Sequence, residues 1–265
     1  MEDHTFVIPA YLESPHLEAC IKSLIGQSVK SKIIITTSTP SVYLEKMADQ
    51  YNIAYHINDT GARGIANDWN FALSKAEAKL VTIAHQDDIY ESNYTEVITN
   101  AINCNEVKQI LIAFTNYSDL VNGGSKKVSL NAIVKQTLLL PFAFSKIIPH
   151  SIIKKMILLF GDPICCPSVT LNLTELGGDF KFSQSYTCAL DWYAWYQLAL
   201  RRGAFMYINQ KLVRHRIHSG SETTNQIVNG LRQKEELELF KLMWGKHMAK
   251  LIARVYALGH KENLL

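Results

Sequence analysis

Through residue 115, short β-branched runs alternate with segments whose apolar residues recur every three or four positions. Strands are predicted at 5–10, 32–37, 53–57, 80–84 and 109–115. Helices are predicted around Leu17, Ile21, Leu24 and Ile25; around Val42, Leu44, Met47 and Tyr51; through Ile65, Trp69, Ala72 and Ala76; and around Tyr94, Val97, Ile98 and Ala101. Ser14 is the expected N-cap of the first helix, with Pro15 at its first position and Gly26 as its stop. Gly61 to Gly64 reads as a loop opening the third helix. Strand–helix alternation of this kind predicts an α/β sheet with crossover helices.

The second half is less regular. Residues 137–160 form an apolar stretch that, with Lys135 just before it, carries Lys135, Lys146, Lys154 and Lys155 and no acid. A helix around 190–200, a strand at 204–208 and one or two amphipathic helices from residue 225 onward follow. Lysines interrupt 137–160 too often for a spanning helix. Basic residues among Leu, Phe and Ile suit an interfacial helix at anionic headgroups, and equally a helical hairpin packed on the core. The C-terminal helical face either docks on the catalytic domain, forms a homodimer or touches membrane.

Composition narrows the class. The chain of 265 residues is 48% hydrophobic but only 19% charged, below the ~25% of an average soluble protein. Its 27 basic and 24 acidic residues leave +3, far from the basic excess of a nucleic-acid binder. Five cysteines without a CxxC pair suggest no disulfide framework or zinc knuckle, and a cytoplasmic protein is expected, at the inner face of the membrane if 137–160 touches lipid. Adjacent Cys165 and Cys166 read as small buried side chains.

Asp87-Asp88 directly after a buried strand is the strongest chemical feature. Adjacent carboxylates repel unless solvated or paired with a cation, and Mg²⁺ or Mn²⁺ sites use one or two of them beside substrate phosphates. Ligands of open α/β sheets sit beyond the carboxyl ends of the strands.

Four segments in order surround this pair: Phe6-Val7-Ile8-Pro9-Ala10-Tyr11-Leu12-Glu13, Gly61-Ala62-Arg63-Gly64-Ile65-Ala66-Asn67, Asp191-Trp192-Tyr193-Ala194-Trp195 and Arg216-Ile217-His218-Ser219-Gly220-Ser221. In this order the chain resembles the family 2 glycosyltransferases of the GT-A fold, over residues 5–223. The resemblance implies a Rossmann-like, mostly parallel central sheet flanked by helices, with a GT-A domain at 1–224 and a helical extension at 225–265. Within the domain, 1–116 is the nucleotide-sugar half and 117–224 the acceptor half. It also implies a nucleotide-sugar donor, a divalent metal (Mn²⁺ or Mg²⁺) and inverting transfer to a carbohydrate or lipid-linked acceptor.

By the same resemblance, Pro9, Ala10, Tyr11 and Glu13 cradle the donor's nucleoside, and Arg63 and Asn67 lie beside the donor. Asp87 and Asp88 match the last two acids of the metal motif, and Asp87 also faces the donor. Arg216 and His218 match the late element at diphosphate and metal, and Asp191 matches the general base. Of the two nearby histidines, His215 is assigned the structural role. Three departures stand out. No acid follows the second strand, so a hydroxyl such as that of Thr37 or a backbone group must read the base. Leu12 stands where asparagine is common, and His85 replaces the first acid of the metal motif. A sugar-phosphate nucleotidyltransferase would carry a Gly-rich basic loop where Tyr11-Leu12-Glu13-Ser14 stands. A non-catalytic nucleotide-sugar-binding scaffold would not need both metal ligands and a base.

Overall fold

A computed structural model describes residues 3–107, 109–121, 124–125, 130–218 and 230–260. The chain opens with β1 (His4–Ala10), α1 (Leu17–Ile25), β2 (Lys32–Thr37), α2 (Val42–Tyr51), β3 (Ala54–Ile57), α3 (Ile65–Ser74) and β4 (Leu80–Ile83). Next come β5 (Ile89–Tyr90), α4 (Tyr94–Asn103), β6 (Ile110–Val121), β7 (Gly124–Ser125), α5 (Leu130–Leu138), α6 (Pro141–Phe144), β8 (Ile147–Ile148) and α7 (Ser151–Leu158). The last elements are β9 (Val169–Asn172), α8 (Leu173–Leu176), α9 (Leu190–Leu200), β10 (Ala204–Ile217) and α10 (Leu231–His260). Gly245, at φ 74° and ψ 168°, breaks α10 into two segments. Ser219, Gly220, Ser221 and the expected boundary at residue 224 lie outside the described residues.

One mixed sheet organises the molecule, in the order β3-β2-β1-β4-β9-β6-β10-β5. Its long pairings are parallel: β1 with β2 and β4, β2 with β3, and β6 with β10. Side chains alternate across it as the pleat requires. Phe6 and Ile8 enter the apolar layer shared with Leu17, Ile21 and Leu24 of α1, while Val7 enters the opposite layer with Trp69, Trp192 and Trp195.

The expected strands are found, with three corrections. β6 and β10 run well past residues 115 and 208, because their outer halves pair despite polar residues such as Asn116, Asp119 and Lys211; register shifts around Lys211 absorb the irregularity. β9 was not expected at all, and runs antiparallel between β4 and β6. Ser14 is not the cap of α1, which starts at Leu17 with His16 as N-cap.

α9 is mostly apolar, with Leu190, Trp192, Ala194, Trp195, Leu198 and Ala199 buried, while Gln197 and Leu200 face water. It has no side-chain cap of its own. At its N-terminus the Glu235 carboxylate of α10 accepts from the amides of Thr187 (2.8 Å), Cys188 (2.8 Å) and Ala189 (3.0 Å). At its C-terminus Lys154 of α7 donates to the carbonyls of Leu198 (3.4 Å), Arg201 (2.8 Å) and Gly203 (2.6 Å). Lys154 is therefore not a lipid-facing cation of the apolar stretch, as its sequence setting suggested. It is wholly buried, and burial pulls its ammonium down to about 8. Lys154→Met keeps the length but leaves those carbonyls unpaired. It is expected to lower unfolding stability by about 2–3 kcal/mol in urea titrations; a loss within about 0.5 kcal/mol of zero would show that the clamp contributes nothing.

Candidate active site

The carboxyl ends of β1 and β4 meet the far end of β10, where the described residues Arg216 and His218 reach Asp87 and Asp88. After β1 the chain turns through Leu12, a non-glycine residue in the left-handed region at φ 53°. That conformation costs a leucine about 1–2 kcal/mol and an asparagine less, which accounts for asparagine being common at this position. Leu12 is held by its amide donating to Thr39 Oγ1 (2.7 Å). Tyr11, half-exposed, is clipped to the acidic loop: its amide donates to Gln86 Oε1 (3.1 Å), and its carbonyl accepts from Gln86 Nε2 (3.0 Å). Pro9 and Ala10 pair with Thr36 and Thr37 across β1 and β2, and Glu13 stands exposed.

Thr37 is buried, and its hydroxyl accepts from the Thr39 amide (3.0 Å). At this corner the carboxylate is Asp68 of α3, which sequence reading did not single out. Asp68 accepts from Ser38 Oγ (3.0 Å) and Asn58 Nδ2 (3.1 Å). It places a helix-borne carboxylate beside the end of β2, after which the sequence has no acid. Arg63 is exposed in the loop before α3, and its carbonyl accepts from Asn67 Nδ2 (2.6 Å). Asn67 Oδ1 accepts from Gln184 Nε2 (2.6 Å), tying this loop to the second half.

The two adjacent acids do different work. Asp87 Oδ1 accepts from Ser14 Oγ (2.5 Å), and its Oδ2 lies 3.3 Å from His218 Nε2. Ser14, recruited by Asp87, also accepts from the His16 amide (3.2 Å), which explains the late start of α1. Asp88 is 1% exposed and turns inward; its Oδ1 accepts from the Arg216 amide (2.8 Å). Arg216 Nε in turn donates to the Asp87 carbonyl (2.9 Å). These bonds bracket the ends of β4 and β10 together. Asp88 Oδ2 is buried 3.9 Å from His85 Nδ1 and has no hydrogen-bond partner among the described residues.

This donor set suits an open cation site. Among the described residues no three His, Cys, Asp or Glu side chains gather as a closed metal cage. Mg²⁺ and Mn²⁺ are commonly held by one or two side chains, with water and phosphate oxygens supplying the rest. Asp87 and His218 provide two adjacent ligands, and the orphaned Asp88 oxygen leaves negative charge behind them. His16 stacks edge-on to His218 with ring centroids 5.1 Å apart, and burial together with Arg216 holds His16 below the usual histidine range. Burial likewise lowers His85 below the usual histidine range, against the pull of Asp88. His215 faces Asp119 (3.7 Å) rather than Asp87.

Asp191 is the second residue of α9 and lies within the electrostatic reach of His85, which also feels Asp87 and Asp88. Its Oδ1 accepts from the Trp192 amide (2.8 Å). Burial lifts its carboxyl above the usual range, while the Trp192 amide, Arg232, His85 and Lys135 oppose that rise. Asp162, after α7, is pushed well above its ordinary value by burial and by Asp191. The two carboxyls feel each other's charge, and burial raises both. Burial pushes the Cys165 and Cys166 thiols up, and both are free, so they are unreactive wall of this cleft. Trp69, Trp192 and Trp195 are core residues.

Residues 5–160 match Glycosyl transferase family 2. Among curated proteins no match was found. S. aureus TarS 1-349 in complex with UDP-GlcNAc superposes with a TM-score of 0.62 at 13% identity, covering 99% of this chain and 73% of that one. Against the longer S. aureus TarS structure, the chain spans 43% of that protein's length. The mannosyltransferase PcManGT from Pyrobaculum calidifontis, in complex with GDP-Man and Mn²⁺, gives a TM-score of 0.61 at 13% identity, with 98% and 75% coverage. Glucosyl-3-phosphoglycerate synthase from Mycobacterium tuberculosis gives 0.53 at 14% identity, with 87% and 79% coverage. With its mixed sheet in the GT-A arrangement and a family match over more than half its length, the chain belongs to glycosyl transferase family 2.

Proposed function

We propose that the protein transfers a sugar, with inversion, from a nucleoside-diphosphate donor to an acceptor hydroxyl on a carbohydrate or lipid-linked sugar. The donor of this reading is a UDP-sugar, and the setting is bacterial surface-polysaccharide or glycolipid assembly at the inner membrane face. The observation that carries the reaction type is the meeting of Asp87, His218 and Arg216 at one sheet edge, with Asp191 within the field of the same His85.

The nucleoside lies against the Pro9–Glu13 segment and the Thr37–Asp68 corner, with Arg63 and Asn67 beside the sugar diphosphate. Asp87 and His218, backed by Asp88, hold the divalent cation, which when bound neutralises charge on the departing diphosphate. Arg216 adds fixed positive charge, its orientation set by the Asp87 carbonyl. Asp191 accepts the proton of the attacking hydroxyl, and a carboxylate made more basic by burial is better suited to that transfer. Asp162, raised by burial and by Asp191, stands as a hydrogen-bond partner for an acceptor oxygen.

Asp191→Asn is expected to lower transfer about 100- to 10,000-fold while UDP affinity is retained. Transfer at the parental rate would remove Asp191 as the base. In the parent, transfer falls as pH drops and Asp191 takes up its proton, with a midpoint above the usual carboxylate range; a midpoint near that of a free aspartate would contradict the reading. A thermal-shift panel of nucleotide-sugars with Mn²⁺ or chelator tests donor and metal together. UDP-sugars are expected to stabilise the protein only with metal, and Asp87→Ala to abolish that shift. Stabilisation that persists in chelator, or in the variant, overturns the metal assignment.

A further inference from the structure

Charge is unevenly divided along this chain. Residues 120–161 and 239–261 together hold 11 of the 27 Lys and Arg residues and none of the 24 Asp and Glu residues. The rest of the chain is therefore acidic, and of the basic residues in these two stretches Lys146, Lys155, Lys241, Lys246, Lys250 and Arg254 reach the surface among the described residues. The two stretches meet in the fold. Phe160, at the end of α7, packs on Trp244 of α10 with ring centroids 5.0 Å apart, and Trp244 Nε1 donates to the Leu159 carbonyl (2.7 Å).

The same surface is unusually apolar. Ile152 (69% exposed), Met156 (54%) and Phe160 (47%) recur every four residues and form one outward stripe along α7. Phe144, at the end of α6, is 92% exposed, and Met248 and Leu251, the next exposed apolar residues of α10 after Trp244, also face water. Lys146, Lys241, Lys246, Lys250 and Arg254 are exposed among them, and Lys155 is half-exposed. Apolar side chains that the fold leaves in water, on segments whose sequence carries cations and no acid, form an interaction surface and not a core. A second copy of the chain would present the same cations to this face and be repelled.

We propose that the face built from α6, α7 and the second half of α10 seats on an anionic lipid bilayer. Phe144, Ile152, Met156 and Phe160 enter the acyl boundary, and the flanking lysines and arginine meet the headgroups. Among the described residues no helix is long and apolar enough to cross a membrane, so this contact is interfacial. Phe160 is followed at once by Gly161 and Asp162. Gly161, at φ 148°, lies so close to the Tyr256 ring that a side chain there would collide with it. The lipid face thus joins rigidly to the acceptor side of the cleft. This placement rests on the proposed lipid-linked acceptor, but lipid binding itself does not require the transfer reaction.

The test is co-sedimentation of the full chain, without donor, with vesicles of phosphatidylcholine alone or equimolar phosphatidylcholine and phosphatidylglycerol. Pelleting with the anionic vesicles only, reduced by salt, is expected. Lys146→Gln and Lys155→Gln should each weaken binding about fivefold, and Phe144→Ser with Ile152→Ser at least about tenfold. All four positions face water, so thermal midpoints should hold. Absent pelleting, equal pelleting with both vesicles, or unchanged binding by the variants overturns the proposal. So does light scattering that shows a dimer which the serine variants dissociate. UDP-dependent stabilisation measured without vesicles separates the outcomes: if it is present while pelleting fails, the lipid face alone is wrong. Pelleting without any nucleotide response would overturn the reaction instead.

Discussion

Helix α9 cannot finish itself. A buried helix leaves amides at one end and carbonyls at the other that water cannot reach, and α9 carries no capping side chain. Glu235 meets the amides and Lys154 the carbonyls, so each end of the helix dipole faces a charge of the favourable sign. Neither charge comes from α9; one arrives from α10 and the other from α7. The position of Asp191 therefore depends on three helices distant in sequence, and Trp192 packing on Phe240 closes the same joint. The C-terminal helix is part of the support of the cleft.

A parallel arrangement holds the other wall. Asp88 is buried and spends one oxygen on the Arg216 amide, which fixes the end of the long β6–β10 pair against the end of β4. Arg216 then returns a bond to the Asp87 carbonyl. Of two adjacent acids, the inward one orders the strand ends and the outward one is left to meet His218. Two neighbouring carboxylates are thereby kept from competing for the same surroundings, which is how their mutual repulsion is tolerated.

Much of this was legible in the sequence where local pattern governs. The first four parallel strands, their helices and the strand–acid junction at Asp87 follow from periodicity and β-branched runs. The extended halves of β6 and β10 were hidden, because Asn116, Asp119 and Lys211 interrupt the apolar pattern and only pairing with each other makes them strand. Lys154 misled for a physical reason: a lysine among apolar residues reads as a surface cation, and its three carbonyl partners lie more than forty residues away. Glu235 and Asp68 carried no local signal, since their partners come from remote segments, and Ser14 was mistaken for a cap because its true partner, Asp87, is 73 residues on.

In the proposed reading, the nucleoside side loses a motif acid and regains a carboxylate nearby. No acid follows β2, but Asp68 of α3 stands at the same corner, bonded to Ser38 and Asn58. Thr37 and Thr39 relay the end of β2 to the Leu12 amide, and Gln86 clips Tyr11. The first-strand segment is thus held by two side chains, Thr39 and Gln86, that bond its backbone, although Leu12 itself sits in an unfavourable conformation. Such a turn persists only because its surroundings over-determine it, and strain held in this way is a mark of a segment shaped for a ligand. The end of β1 and the acid-bearing edge share Gln86 as their link, since it precedes Asp87 and grips Tyr11. On the proposed function, a donor held at the first strand would thereby be tied mechanically to the acids beyond it.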